Sequence, residues 1–543
     1  MNPPASHGQG VVACCPSNAE VGVSHTANPE PVSRCPLSQP RKQAQASSGP
    51  NFMKRPVPRR TVLKAAGVVT GALAALSLME ELAWIPIREA SAATAFPDVQ
   101  FDISPFMPAA KTIDGISVAM PPVHTTFLTA RLARTPSKND IARMESALQT
   151  VEGNYPYAPG GVFAHVAYSD NYFARLPQSV VGPKMPRTLD GNEPVLRRAV
   201  AGPTDVAAGK HVMTLRRAEF NVPLALENND ILFTVRGDDP SFVADVVSWL
   251  SGSNKLKGQN VASPRFDAGM TIDHMRSMFV QQGLPRNVAA SNGLPFADFI
   301  NPFSPMWMGF ADQQVDASAP AQNVTFAGGG GIRLSNKNPG DYFDNGSIQH
   351  LSHNLLDLEQ FYVNGNAEDD ATADHREPFD ERVQYMYQSP PEVEQAADDP
   401  FRDGGGPRNL GTRGAFLANV FHGSDAAEKS AQQFGRIGHL SALHRSGRTA
   451  DGRPIHLRID GPGFGTLDTT TGRSTAKLQF SGFFPSADFF ATLRNNQGSV
   501  DLLQQFNLDE DDHGLERFIT STRRQNFMIP PRRHRAFPLL ELT

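Results

Sequence analysis

Ile231-Leu-Phe-Thr-Val-Arg236 followed by Gly237-Asp-Asp-Pro240 and then Ser241-Phe-Val-Ala-Asp-Val-Val-Ser-Trp-Leu250 is the stretch that decides the fold. The first five residues are β-branched or apolar, and with Arg236 they read as a strand. Asp238 and Asp239 can cap a helix, and Pro240 suits its first position, where no N–H is needed. Phe242, Val243, Val246, Val247 and Leu250 then fall on one helical face, and Gly252 stops it. Upstream lie a strand at Thr125–Ala133, a helix capped by Ser137 or Asn139, with Ile141, Met144, Leu148 and Val151 on one face, and a strand at Val162–Tyr168. Strand–helix–strand followed by strand–helix is the ferredoxin-like order.

The alternation recurs downstream. Gly346–Leu356 reads as a strand leading into helical Leu358–Tyr362, and Pro378–Tyr387 as a short helix. Pro454–Asp460 and Thr475–Phe484 read as strands, Ser486–Asn496 as a Ser-capped helix, and Phe527–Pro530 as a last strand. The expected class is therefore α+β, with two ferredoxin-like domains of antiparallel sheet at 96–300 and 301–543. Pro- and Asn-rich loops are expected at 174–222 and 388–415, long enough to be functional or disordered.

Before residue 96 the chain changes character. Residues 1–52 are rich in Pro, Ser, Ala and Gly without apolar periodicity and read as a disordered extension. Met53, an alternative start, opens a basic segment with Arg59-Arg60 and Leu63-Lys64, followed by the apolar run Ala65–Met79 and small residues at Ala90-Ser91-Ala92 and Ala93-Thr94-Ala95. This is a twin-arginine signal peptide over 53–95, with export to the periplasm or exterior expected. The apolar run is shorter than the roughly 20 residues that span a bilayer, so no stable span is expected after cleavage. The 543 residues include three cysteines, Cys14, Cys15 and Cys35, all upstream of that site. The exported chain is then cysteine-free, with 41 Lys and Arg against 50 Asp and Glu. Thiolate chemistry is excluded from it, and the acidic balance argues against nucleic acid.

Several familiar motifs are missing: G-x-x-x-x-G-K-[ST], H-E-x-x-H and G-x-S-x-G. Gly328–Gly331 has no following Lys and reads as a turn. The C-terminal half is rich in His: 350, 353, 375, 422, 439, 444, 456, 513 and 534. His350 and His353 sit on a strand, where a spacing of three puts them on opposite faces, against a paired metal site.

Three segments carry more when taken together: Met308-Gly309-Phe310-Ala311-Asp312, Ile437-Gly438-His439-Leu440, and Arg453-Pro-Ile-His-Leu-Arg458. In this order they resemble the heme site of dye-decolorising peroxidases, with looser likeness over most of the exported chain. That resemblance implies a dimeric α+β barrel-type fold and heme b as cofactor. It makes His439 the axial iron ligand, and Asp312 and Arg458 the catalytic pair on the distal side. Gly309, Phe310 and Arg458 would line the cofactor. The expected partners are hydrogen peroxide and a small aromatic reductant, with a homo-oligomer left open. Trp307, beside the motif, could relay oxidising equivalents, although packing is the plainer reading. A carboxylate behind the axial His is expected near the closing helix, where Asp512 stands beside His513. One departure is clear: Gln313 replaces the Gly that ends the family's G-F-x-D-G motif. The alternatives are a heme-binding or storage protein without turnover, and a heme-free extracellular interaction protein. Arg523, Arg524, Arg532, Arg533 and Arg535 read as a solvated basic tail.

Overall fold

The computed structural model describes residues 96–543 except 110, 114–115, 207–215, 265–268, 303, 310–320, 330–332, 364–425, 440–441, 443–444, 446–455 and 510–511. The signal segment, Pro378–Tyr387 and the loop at 388–415 thus lie outside the described residues.

Eight principal strands build the sheet: β1 His124–Leu132, β2 Phe163–Tyr168, β3 Ile231–Gly237, β4 Met270–Phe279, β5 Ser347–Leu356, β6 Leu457–Gly465, β7 Thr475–Phe484 and β8 Ile519–Ile529. Their order is β6-β7-β5-β8-β2-β3-β1-β4, and each pairing along it is antiparallel. A two-residue strand, Ala225–Leu226, adds in parallel to β8. Within each half the first strand in sequence lies between the third and the fourth, which is the ferredoxin-like arrangement. The chain is an α+β protein of that kind, twice over. The halves join where Met528 of β8 faces Tyr168 of β2.

The first-half helices form for the reasons legible in sequence. Helix α1, Lys138–Asn154, starts after Ser137, whose backbone N–H and hydroxyl both donate to the Asp140 carboxylate, at 2.6 and 2.8 Å. Helix α2, Pro240–Leu250, starts where the Asp239 carboxylate accepts from Ser241 N–H at 2.8 Å. They bury Met144, Leu148 and Val151, and Val243, Val246 and Val247, against the outer face of the sheet. A short helix α3, Leu284–Ser291, follows β4, and α4, Ala426–Phe434, precedes β6. Helices α5, Ala487–Gly498, and α6, Val500–Phe506, connect β7 to β8.

The sheet curls until its edge strands, β4 and β6, lie against each other. Glycines permit this approach. A Cβ on Gly461 would stand 2.7 Å from Val280 Cγ2 and 3.1 Å from Phe279 O, and one on Gly463 would stand 2.8 Å from Ser277 O. Trp307 Nε1–H donates to the Gly463 carbonyl at 3.1 Å and its ring is buried with Phe279, so it packs the seam. Gly461→Val is expected to lower stability by about 1–3 kcal/mol through overpacking, read from the urea midpoint. A change within a few tenths would mean the seam is looser than this.

Inside the barrel, side chains from non-adjacent strands meet. Gln349 of β5 donates to Thr234 of β3 at 3.1 Å and Ser481 of β7 at 3.0 Å, and its oxygen pairs with His165 of β2 at 3.2 Å. An apolar layer of Phe127, Leu232, Leu351, Ile459, Phe483 and Phe527 lies beside them.

Five expectations are corrected. Strand β4 was not anticipated: its inward residues include His274 and Arg276, which hide the apolar alternation. Strand β6 begins at Leu457 rather than Pro454, and β8 begins at Ile519, eight residues before Phe527. Residues 514–518 form turns, not a closing helix. Finally, the C-terminal arginines are not a solvated tail. Arg523 pairs with Asp468 at 2.7 Å, and Arg535 with Glu145 at 2.8 Å. Arg524 pairs with Asp205, Arg532 with Glu152, and Arg533 with Asp98 and Asp344. Among the described residues, no helix is long and apolar enough to cross a membrane.

Candidate functional site

Along β6, Leu457 and Ile459 point into the barrel, so His456, Arg458 and Asp460 face outward, toward α5. The neighbouring strands present Phe480, Gly482 and Phe484 of β7, His350 and Ser352 of β5, and Arg524 and Asn526 of β8 on the same face. The His456 ring stacks on Phe484, centroids 6.0 Å apart. His350 lies flat on Phe490 of α5 at 3.3 Å and is fixed by Asn526 and Ser352, both at 2.6 Å. Gly482 keeps this wall flat, since a Cβ there would strike the Phe484 ring. His353 points to the opposite face, bonded to Gln479 at 3.0 Å. The strand spacing therefore separates the two histidines as expected.

His439 arrives from a different direction. Helix α4 ends at Gly435, with φ +64°, and the next residues run beside 512–514. Ile437 N–H donates to Asp512 O, and Gly514 N–H to Ile437 O, each at 2.8 Å. This short ladder brings His439 close to Glu516, Arg458 and Arg494. Burial pushes the imidazole down to about 4; Glu516 works against that, and the two guanidiniums add to it. His439 is thus neutral at physiological pH.

Glu516 is the residue that sequence reading missed. Burial would raise its carboxyl, but Arg494, His513 and the Thr204 hydroxyl outweigh burial and hold it well below the usual range. Arg494 Nη1 donates to it at 2.9 Å, and Thr204 Oγ1 donates to its other oxygen. Asp512, the expected carboxylate, instead faces Arg436 at 3.7 Å, and burial raises its pKa. The signal was present four residues on: Glu516 stands between Leu515 and Phe518, both buried, where a charge needs a reason. Thr204, Asp205 and Arg216 reach this site from the long 174–222 connection. Arg216 donates to the Glu516 carbonyl at 2.8 Å, and Asp205 binds Arg524, whose guanidinium lies 5.4 Å above the Phe490 ring.

The structure therefore brings together His439 and Arg458, two of the expected site residues, and adds Glu516 and Arg494. Arg458 also lies 3.6 Å from Asp460. Gly309 takes φ +81° in a tight turn after buried Trp307 and Met308. Phe310 and Asp312 lie outside the described residues, as does Gln313. The donor set fits a singly His-ligated heme: one neutral imidazole, an ionised carboxylate near it, guanidiniums for propionates, and a wall of Phe rings.

The buried histidines also set an acid limit. Burial depresses His439 and His124 to about 4, and His165 and His353 to about 3, from the usual 6.5. Each stabilises the fold fully above pH 6.5, and that contribution is lost as pH falls toward 4. Urea midpoints should therefore fall steeply between pH 6.5 and 4, with more than one proton taken up on unfolding; a flat profile there would contradict the burial of these rings.

No curated protein matches the chain. Among solved structures, the encapsulated DyP-type peroxidase of Mycobacterium smegmatis is 13% identical, with TM-score 0.40, covering 76% of this chain and 94% of that one. A DypB variant of Rhodococcus jostii RHA1 in complex with heme is 14% identical, with TM-score 0.41, covering 76% and 94%. A family model described as a family of unknown function, DUF7405, matches residues 122–531. Spanning most of the sheet and every element of the His439 site, that match shows that the chain belongs to the DUF7405 family, whose function is unknown.

Proposed function

We propose that the protein is an exported heme peroxidase that uses hydrogen peroxide to oxidise small aromatic donors. The observation that carries this is a neutral His439 gathered with ionised Glu516 and with Arg458 and Arg494 on a Phe-walled face. Heme b, when bound, supplies the iron at which peroxide is reduced. His439 would hold that iron with its lone pair, and Glu516 would favour an electron-rich, fixed ring. Arg458, partly buried on β6, would meet developing negative charge or a propionate. Asp312 would take and return the peroxide proton. Gln313, in place of the motif's Gly, favours a second reading, in which heme is bound or stored without turnover.

Hemin titration of the full chain, followed by turnover of peroxide with an aromatic dye, tests both. A Soret band with turnover, reduced about 100-fold or more by Asp312→Asn or Arg458→Ala, supports the peroxidase. Undiminished turnover in both variants would remove their assigned roles. Heme uptake without turnover favours storage, and no uptake overturns both readings.

A further inference from the structure

On the inner face of the same sheet, at one end of the barrel, lies a second polar cluster that the His439 site does not use. Arg276 of β4 is fully buried; its Nη2 donates to Glu227, but its Nε and Nη1 have no hydrogen-bond partner. His353 of β5 is also buried, and its Nε2 has no partner. Its Nδ1 faces Gln479 Oε1 at 3.0 Å and so carries the proton, leaving Nε2 as an acceptor. Lys477 of β7 is buried too and spends one of its three N–H bonds on Leu467 O, at 2.7 Å. His353 lies opposite Gln479 of β7, two residues from Lys477 on the same face, and opposite Arg523 of β8, which reaches the Glu227 that holds Arg276, so the three side chains share one region.

The two carboxylates here are already engaged. Arg523 lies 2.7 Å from Asp468 and 3.5 Å from Glu227. Glu227, Asp273 and His274 could in principle clasp a metal, their ligand atoms lying within 4.8 Å. Arg276 and Arg523 on Glu227, and Arg131 on Asp273, make them an ion-pair network instead. With Lys477 protonated, Arg131, Arg276, Arg523 and Lys477 stand against Glu227, Asp273 and Asp468, four cations to three carboxylates, an excess of one positive charge. Such an excess is costly unless an anion offsets it.

We propose that Arg276, His353 and Lys477 form a binding site for a small monoanion that carries both an oxyanion oxygen and a hydroxyl, of the hydrogencarbonate type. The oxygens accept from Arg276 and Lys477, and the hydroxyl donates to His353 Nε2. At the edge of the cluster the side chains of His274 and Arg523 are 19% and 21% exposed, so solvent reaches it from that side.

Isothermal titration of the full chain with sodium hydrogencarbonate, formate and chloride tests this. Saturable binding of hydrogencarbonate ahead of formate is expected, weakened about tenfold or more by Lys477→Met and by Arg276→Gln. His353→Phe should abolish the preference over formate. Burial pushes Lys477 down to about 7, against the pull of Asp468. Its charge is therefore lost as pH rises from 7 to 9, and affinity should fall over that range. Neighbouring Arg523, Glu227 and Asp468 keep their charges there, Arg276 also faces the site, and Lys477→Met should flatten the profile. Should Arg276→Gln fail to fold, Lys477→Met and the pH profile still decide. No saturable binding would mean that water alone fills these bonds; equal binding of both anions, untouched by the substitutions, would mean an adventitious ion only. Either result overturns the proposal.

Discussion

Asp205→Ala should cost the fold about 3–5 kcal/mol, the cost of leaving one member of a buried ion pair alone. Arg524 sits at the centre of the sheet on β8, between β5 and β2, with its side chain 1% exposed and that of Asp205 2%. Asp205 binds both ends of the guanidinium, Nη2 at 2.9 Å and Nη1 more closely. Without it, the cation keeps Val200 O at 3.3 Å, Ser521 Oγ at 2.9 Å and the face of Phe490. None of these carries a compensating charge. The double variant Asp205→Leu with Arg524→Met should recover much of the loss, since it removes both charges together. Urea unfolding checks both. A loss below about 1 kcal/mol for Asp205→Ala would show that water reaches the pair.

His439→Ala should lower hemin affinity by two orders of magnitude or more, read as loss of the Soret shift on titration. The comparison is Glu516→Gln, which keeps the imidazole but removes the charge beside it; a loss of about 10–100-fold is expected there. Exogenous imidazole should restore the band in His439→Gly but not in a variant that has lost its fold. Because His439 is held near 4, protons compete with iron for it only in acid. Affinity should be flat from pH 6 to 9 and fall below about 5. Hemin bound equally well by His439→Ala would place the ligand elsewhere, His456 just before β6 being the first alternative.

How much was legible beforehand varied with the chemistry of each element. Helix α2 announced itself through Asp239, Pro240 and an apolar face, and β7 through its Phe and Leu residues. Strand β4 and the first eight residues of β8 did not, because their inward side chains include His274, Arg276, Arg523 and Gln525. A barrel filled with polar groups breaks the apolar alternation on which strand reading depends. The arginines of the closing segment looked solvated for the same reason. Burial of a charge depends on a partner distant in sequence, as Asp205 is from Arg524.

By itself, the sequence determined the α+β class, the repeated strand and helix order, and the pairing of His439 with Arg458 as candidates. The first two rest on local periodicity and capping, which neighbouring residues specify; the third rests on the resemblance to dye-decolorising peroxidases. Only the tertiary structure decided that Glu516, not Asp512, stands with His439, and that the edge strands meet at Gly461 and Gly463. These follow from strand order and curl, and local sequence carries no record of what packs against a face from hundreds of residues away.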